Sequence, residues 1–179
     1  ATGSFGIGST FATIVAILED SFTKAISPHL FEKFKTLKES QKISIVKLSY
    51  KVYSIIIFFS ISIFLCGYFG VTFIFGKDYI DSRSLIFPLV VAAMFKGLYK
   101  FHVNYIFFTK KTLVITKITF ISGLLNLILA YYFIKYFGLL GASYTILLIS
   151  FFQYGLTFYF GNKLMPMPWF YFLKNNYGT

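Results

Sequence analysis

The chain has 179 residues, of which 57% are hydrophobic, 22% aromatic and only 13% charged. An ordinary soluble domain is roughly 25% charged, so about half of the usual solvating groups are missing. The composition therefore excludes a globular fold that covers its own surface in water. The net charge of +11 comes from 17 basic and 6 acidic residues. It does not point to nucleic acid, because the lysines lie between long apolar runs instead of forming a stripe beside base-stacking aromatics.

One cysteine, Cys66, lies inside an apolar run, and the two histidines, His29 and His102, are far apart. This gives no disulfide framework and no metal-ligand spacing, and no metal or cofactor is expected. The first residue is Ala1, with no basic segment leading into an apolar one, so no signal peptide is visible. Phe5-Gly6-Ile7-Gly8 already reads as the inside of a span, as expected of a chain truncated at its N-terminus.

A helix needs about 20 mostly apolar residues to cross the hydrocarbon core. Five stretches qualify. The first covers about 5–27 and is expected to end at Pro28, which removes a backbone donor. The others cover about 45–71, 84–108, 113–136 and 141–161. Runs such as Ile55-Ile56-Ile57-Phe58-Phe59 do not alternate as the strands of a membrane β-barrel must. In lipid such runs can satisfy their backbone groups only as helices. The expected fold is all-α: a polytopic transmembrane bundle of about five spanning helices.

The segment 31–42 sets Phe31, Phe34 and Leu37 at helical spacing among lysines. It reads either as an amphipathic piece on the inner leaflet or as a solvated extension of the first span. The tail, 162–179, is too short to span, and its Trp169, Phe170, Tyr171 and Phe172 suit an interfacial anchor.

Lysines set the expected orientation. Lys33, Lys35, Lys38 and Lys42 lie between the first two spans, Lys110 and Lys111 between the third and fourth, and Lys163 and Lys174 after the fifth. The remaining connections are poorer: Lys77, Asp78, Asp81 and Arg83 cancel, and the turn at Gly138 has only Lys135 nearby. Basic loops are retained in the cytoplasm, which puts the N-terminus outside and the C-terminus inside.

An ionisable residue at membrane depth normally faces protein or a water-filled cavity. Lys96, Lys100 and Asn104 follow i, i+4, i+8 in the middle of the third span, with Tyr99 and His102 alongside. Aligned cations on one intramembrane face suit an anionic group such as a pyrophosphate. The competing reading has Lys100 snorkelling to the interface and Lys96 paired with a distant acid. In the first span Asp20 and Lys24 are one turn apart and are expected to pair. Glu19 projects about 100° away from Asp20. Glu19 and Asp20 are the candidates for ion coupling, with pairing to a lysine of another span the bland alternative for Glu19. Asn126 and Gln153 suit interhelical hydrogen bonding. No cluster of acids or histidines offers a catalytic site, and no enzymatic activity is expected.

Several short motifs occur in a particular order. Phe5-Gly6-Ile7-Gly8 is followed by Leu18-Glu19-Asp20 and by Ala25-Ile26-Ser27-Pro28 before a basic loop. Phe75-Gly76-Lys77-Asp78-Tyr79 forms a short polar turn, and Gly97-Leu98-Tyr99 precedes Lys110-Lys111-Thr112. Asn126 precedes Tyr136-Phe137-Gly138-Leu139-Leu140-Gly141-Ala142-Ser143. In this order and spacing, over about 5–170, the chain resembles the C-terminal portion of bacterial polysaccharide and O-antigen flippases. These belong to the multidrug/oligosaccharidyl-lipid/polysaccharide exporter superfamily.

The resemblance implies helices equivalent to spans eight to twelve of such a transporter, with the preceding helices as partners. It implies alternating access in the bacterial inner membrane, with an undecaprenyl-pyrophosphate-linked oligosaccharide as cargo and a glycan polymerase as a candidate neighbour. Lys96, Lys100 and Asn104 would then face the cargo. The alternatives are a multidrug exporter of the same superfamily, which the unpaired lysines disfavour, and a non-transporting assembly subunit of a glycan-export complex.

Overall fold

A computed structural model of the protein describes residues 2–36 and 39–170. Those residues form four long helices: α1 (Thr2–Thr36), α2 (Glu39–Ile74), α3 (Arg83–Phe108) and α4 (Leu113–Leu164). A short 3-10 turn, Lys77–Ser82, joins α2 to α3. All four helices are long and apolar enough to cross a membrane.

At 1.5 Å per residue a straight helix of the length of α4 would run to about 78 Å, more than twice a hydrocarbon core of about 30 Å. It is not straight. Gly138 takes φ 56° and ψ −133°, a conformation that a side chain would strain. Three residues on, Gly141 lies against the backbone carbonyl of Phe133, where a β-carbon would collide. The pair of glycines folds α4 back on itself as two limbs, 113–137 and 139–164. The five stretches read from the sequence are thus four continuous elements, the last one doubled.

Contacts fix the directions. Phe11 of α1 meets Gly67 of α2, while Lys33 Nζ donates to Ser44 Oγ at 2.8 Å, so these two helices are antiparallel. Gly8 packs on Leu85 and Leu89, and Phe34 lies 5.0 Å from both Tyr105 and Phe108, so α1 and α3 run parallel. The second limb of α4 also runs parallel to α3, with Phe151 on Phe95, Phe158 on His102 and Gly161 against Ile106. One end of the bundle therefore gathers the end of α1, the start of α2, the 109–112 turn and the end of α4. The other end holds Ser4, Asp81 and Leu139, which border one shallow cavity.

Helix α3 is central, and its small residues Ala92, Ala93 and Gly97 let neighbours approach closely. Two apolar clusters form around it. One holds Ile7, Phe11, Val15, Val71, Ile86, Val90 and Ala93. The other is built around Leu30, Phe34, Ile45, Val52, Phe101 and Tyr105. The stretch of α1 between them carries Glu19, Asp20, Thr23 and Ser27, which form a polar belt at mid-height.

One expectation about an element boundary is corrected. Helix α1 does not stop before Pro28 but continues to Thr36 with the proline inside it. The missing proline N–H costs one intrahelical bond, whereas the extra two turns bury Leu30 and Phe34 completely. That burial outweighs the broken rung. The aromatic face of 31–36 consequently belongs to the protein core and not to a leaflet; residues 37 and 38 lie outside the described residues.

Of the two described aromatics of the tail, Phe170 is 68% exposed, as an interfacial anchor would be, and Trp169 is not. Trp169 is only 6% exposed and is inserted among the helices. Tyr171 and Phe172 lie outside the described residues.

Candidate functional site

The polar belt contains every site residue expected from the sequence, but it divides them. Asp20 pairs with Lys24 at 2.6 Å, as their spacing requires. Its other oxygen meets Lys100 Nζ at 3.3 Å, joining α1 to α3. This second partner was not legible from local spacing, since 80 positions separate the two. Lys100 is thus a bridged cation, half-exposed, and not a free one.

Asn104 is buried. Its amide donates to the Phe101 carbonyl at 3.0 Å, and its Oδ1 lies 3.3 Å from the Ser27 hydroxyl. The reason is rotation. Each step of four residues drifts about 40° around a helix, so two steps turn Asn104 about 80° from Lys96. That drift carries it out of the exposed face and into the α1 interface. The expected single stripe of Lys96, Lys100 and Asn104 is therefore three environments: exposed, bridged and buried.

Lys96 is exposed, and no ion pair or hydrogen bond holds it among the described residues. It lines a groove of about 220 Å³ between α1, α3 and the second limb of α4. The walls are Phe5, Ala12, Ala16, Leu89, Ala93 and Ile146, with Ser9 and Thr13 as the other polar residues. At 1.5 Å per residue Lys96 stands about 20 Å from the start of α3 and about 18 Å from its end. The groove thus places one exposed cation on a largely apolar surface, midway between the two ends of the bundle. It can accept an anion whose remainder is apolar.

Glu19 is the opposite case. It is 3% exposed, and neither carboxylate oxygen has a hydrogen-bond partner. Its carboxyl occupies the recess left by the absent side chain of Gly97, where a β-carbon would collide with it. Thr23, one turn along, is also buried with an unpartnered hydroxyl. The bland expectation of a direct lysine partner for Glu19 is not met; Lys100 is held instead by Asp20, the next residue along.

His102, read from the sequence only as flanking the lysine stripe, is fully buried in a ring cluster. Its Nδ1 lies 2.7 Å from the Tyr53 hydroxyl, and its ring stacks on Tyr105 at 4.5 Å. Among the described residues no group of three His, Cys, Asp or Glu side chains is placed to hold a metal ion. Comparison of the chain with protein-family models, with curated proteins and with solved structures finds no match.

Proposed function

We propose that this chain is the C-terminal part of a bacterial flippase that moves polyprenyl-pyrophosphate-linked oligosaccharide across the inner membrane by alternating access. The observation that carries this reading is Lys96, a cation without an ion-pair or hydrogen-bond partner among the described residues, at mid-height in a groove that is apolar apart from Ser9 and Thr13. A lone ammonium facing lipid costs about 2.5–3.5 kcal/mol on insertion scales, so its place there calls for a ligand or a wet cavity. A pyrophosphate head satisfies the charge, and a polyprenyl chain lies along apolar walls. The ordered motifs described above support the same family. The remaining walls of the cavity would come from further helices.

The direct test is capture. A photo-crosslinking residue at Thr13, which lines the groove and is exposed, is expected to trap the lipid-linked glycan in cells that make it. The same residue at Ile57, exposed on α2 away from the groove, should trap bulk lipid only. Equal capture at both positions, or none at Thr13, rules the groove out as the cargo path.

Insertion has its own test. The lysines of the 109–112 turn and the end of α4 gather at one end of the bundle, which supports a cytoplasmic position for that end. With the exposed Cys66 replaced by serine, a cysteine at Asp81 should react with an impermeant thiol reagent in intact cells. A cysteine at Lys111 should react only after permeabilisation. The reverse pattern would invert the orientation.

A further inference from the structure

The groove leaves Glu19 unexplained, although it is the most confined charged group in the belt. A buried polar group without partners costs free energy, and an ionised carboxylate costs far more than a neutral acid. Three features bear on what this carboxyl does. Both of its oxygens are unpartnered. Gly97 leaves it a fitted recess. Beside it lies the Asp20–Lys100 bridge, whose ammonium approaches Asp20 at a loose 3.3 Å.

We propose that Glu19 is a proton-binding site, and that its occupancy decides which α1 carboxylate holds Lys100. With the proton bound, Glu19 is a neutral acid whose O–H is free to donate to the Thr23 hydroxyl, and Lys100 stays on Asp20. When the proton leaves to water, the new carboxylate draws the ammonium of Lys100 into the α1–α3 interface. Asp20 then keeps only Lys24, its exposed partner on the same helix. The lysine remains charged throughout; one proton moves, and one ion pair is exchanged for another. Because Lys100 lies one turn from Lys96, the exchange changes the charge beside the groove.

A metal cation fits this place poorly. A hard ion such as calcium takes six to eight oxygens. Among the described residues, the unpartnered buried side-chain oxygens on α1, α2, α3 and the turn that opens α3 are its own two and those of Thr23, Ser60 and Ser82. Ser82 lies beyond the far end of α3, in the turn that opens it. Lys100 would moreover repel the ion. The charged groups around Glu19 are Asp20 and Lys24 on α1, and Lys100 and Lys96 on α3. On α2 the matching level carries Phe59, which touches Phe22, and Ser60, neither of them ionisable.

The site is independent of what fills the groove, and its test needs no cargo. The chain is placed in lipid vesicles, and its carboxylic-acid C=O stretch is followed by infrared difference spectroscopy as pH is varied. Glu19→Gln identifies the Glu19 band by deleting it; Glu19→Asp, which keeps a carboxyl and moves the band, makes the assignment if the glutamine variant does not fold. In Asp20→Asn, Lys100 is released to Glu19, and the proton affinity of Glu19 should fall by about tenfold or more, as for an opposite charge brought close. In a Lys100→Met background, Asp20→Asn should produce only a small change. An equal fall in both backgrounds would mean simple repulsion between the two acids and would overturn the exchange. No titrating band assignable to Glu19 would overturn the site itself.

Discussion

On the proposed flippase reading, replacing Lys96 by glutamate is expected to abolish surface-polysaccharide export in a flippase-null strain complemented with the whole transporter which that reading calls for. The groove presents one cation on a largely apolar surface, so a carboxylate there would repel the pyrophosphate of the proposed cargo. Lys96→Ala removes the attraction without adding repulsion and should lower export about tenfold, corresponding to roughly 1.4 kcal/mol of lost binding. Lys96→Arg keeps the charge but changes its shape, and should retain part of the activity. Because Lys96 is exposed and makes no ion pair among the described residues, none of the three substitutions breaks a native ion pair. Membrane abundance, measured alongside, should stay near wild type. Wild-type export by the glutamate variant would take Lys96 out of the substrate path. Lys100 supplies the contrast: it bridges α1 and α3 through Asp20, so Lys100→Ala should also weaken the fold.

The difference between these two lysines marks how far the sequence could be read. Apolar runs are a property of consecutive residues, and all five expected spans lie within helices of the structure. The lysine asymmetry is legible for the same reason, since each charge sits in or beside its own loop. Pairing across helices is not local. Nothing near Lys100 in the sequence announces Asp20, and nothing near Glu19 announces the recess at Gly97. The signal that joins them is compositional: α3 offers a glycine at the height where α1 offers an acid. Reading that needs the register between the helices, which only packing supplies.

Pro28, and Trp169 within the tail, follow tertiary packing instead of the local rule. Local rules end a helix at proline and send a short aromatic segment to the headgroup region. Tertiary burial overrides both, because Phe34 and Trp169 each gain more from the core than the local rule costs. The arrangement at mid-height follows from the same competition. Apolar clusters above and below leave the belt as the one layer where α1 and α3 meet through polar side chains. A change of protonation or ion pairing there acts on the contact between those two helices.

Trp169→Ala is expected to destabilise the bundle by about 3–5 kcal/mol, the range for truncating a large buried aromatic. The indole lies parallel to Tyr53 at 6.4 Å and meets Phe158 at 5.1 Å and His102 at 5.5 Å. Its Nε1–H donates to Asn162 Oδ1 at 3.1 Å, which also accepts the Met167 N–H and so closes the turn after α4. The Trp169 carbonyl in turn accepts the Tyr50 hydroxyl at 2.7 Å, tying the tail to α2. Truncation empties a ring-lined site and strands part of the Asn162 acceptor, whereas Trp169→Phe should keep most of the packing and lose mainly the one hydrogen bond. Thermal unfolding in mild detergent measures both variants. The chain contains a single tryptophan, so its fluorescence reports this place alone. A side chain inserted among helices should resist quenching by aqueous iodide and by lipids brominated near the headgroup. An interfacial anchor would be quenched strongly by the second. Strong headgroup quenching, together with a Trp169→Ala variant that melts with the wild type, would return the tail to the membrane surface and leave the Tyr53–His102 ring cluster without its lid.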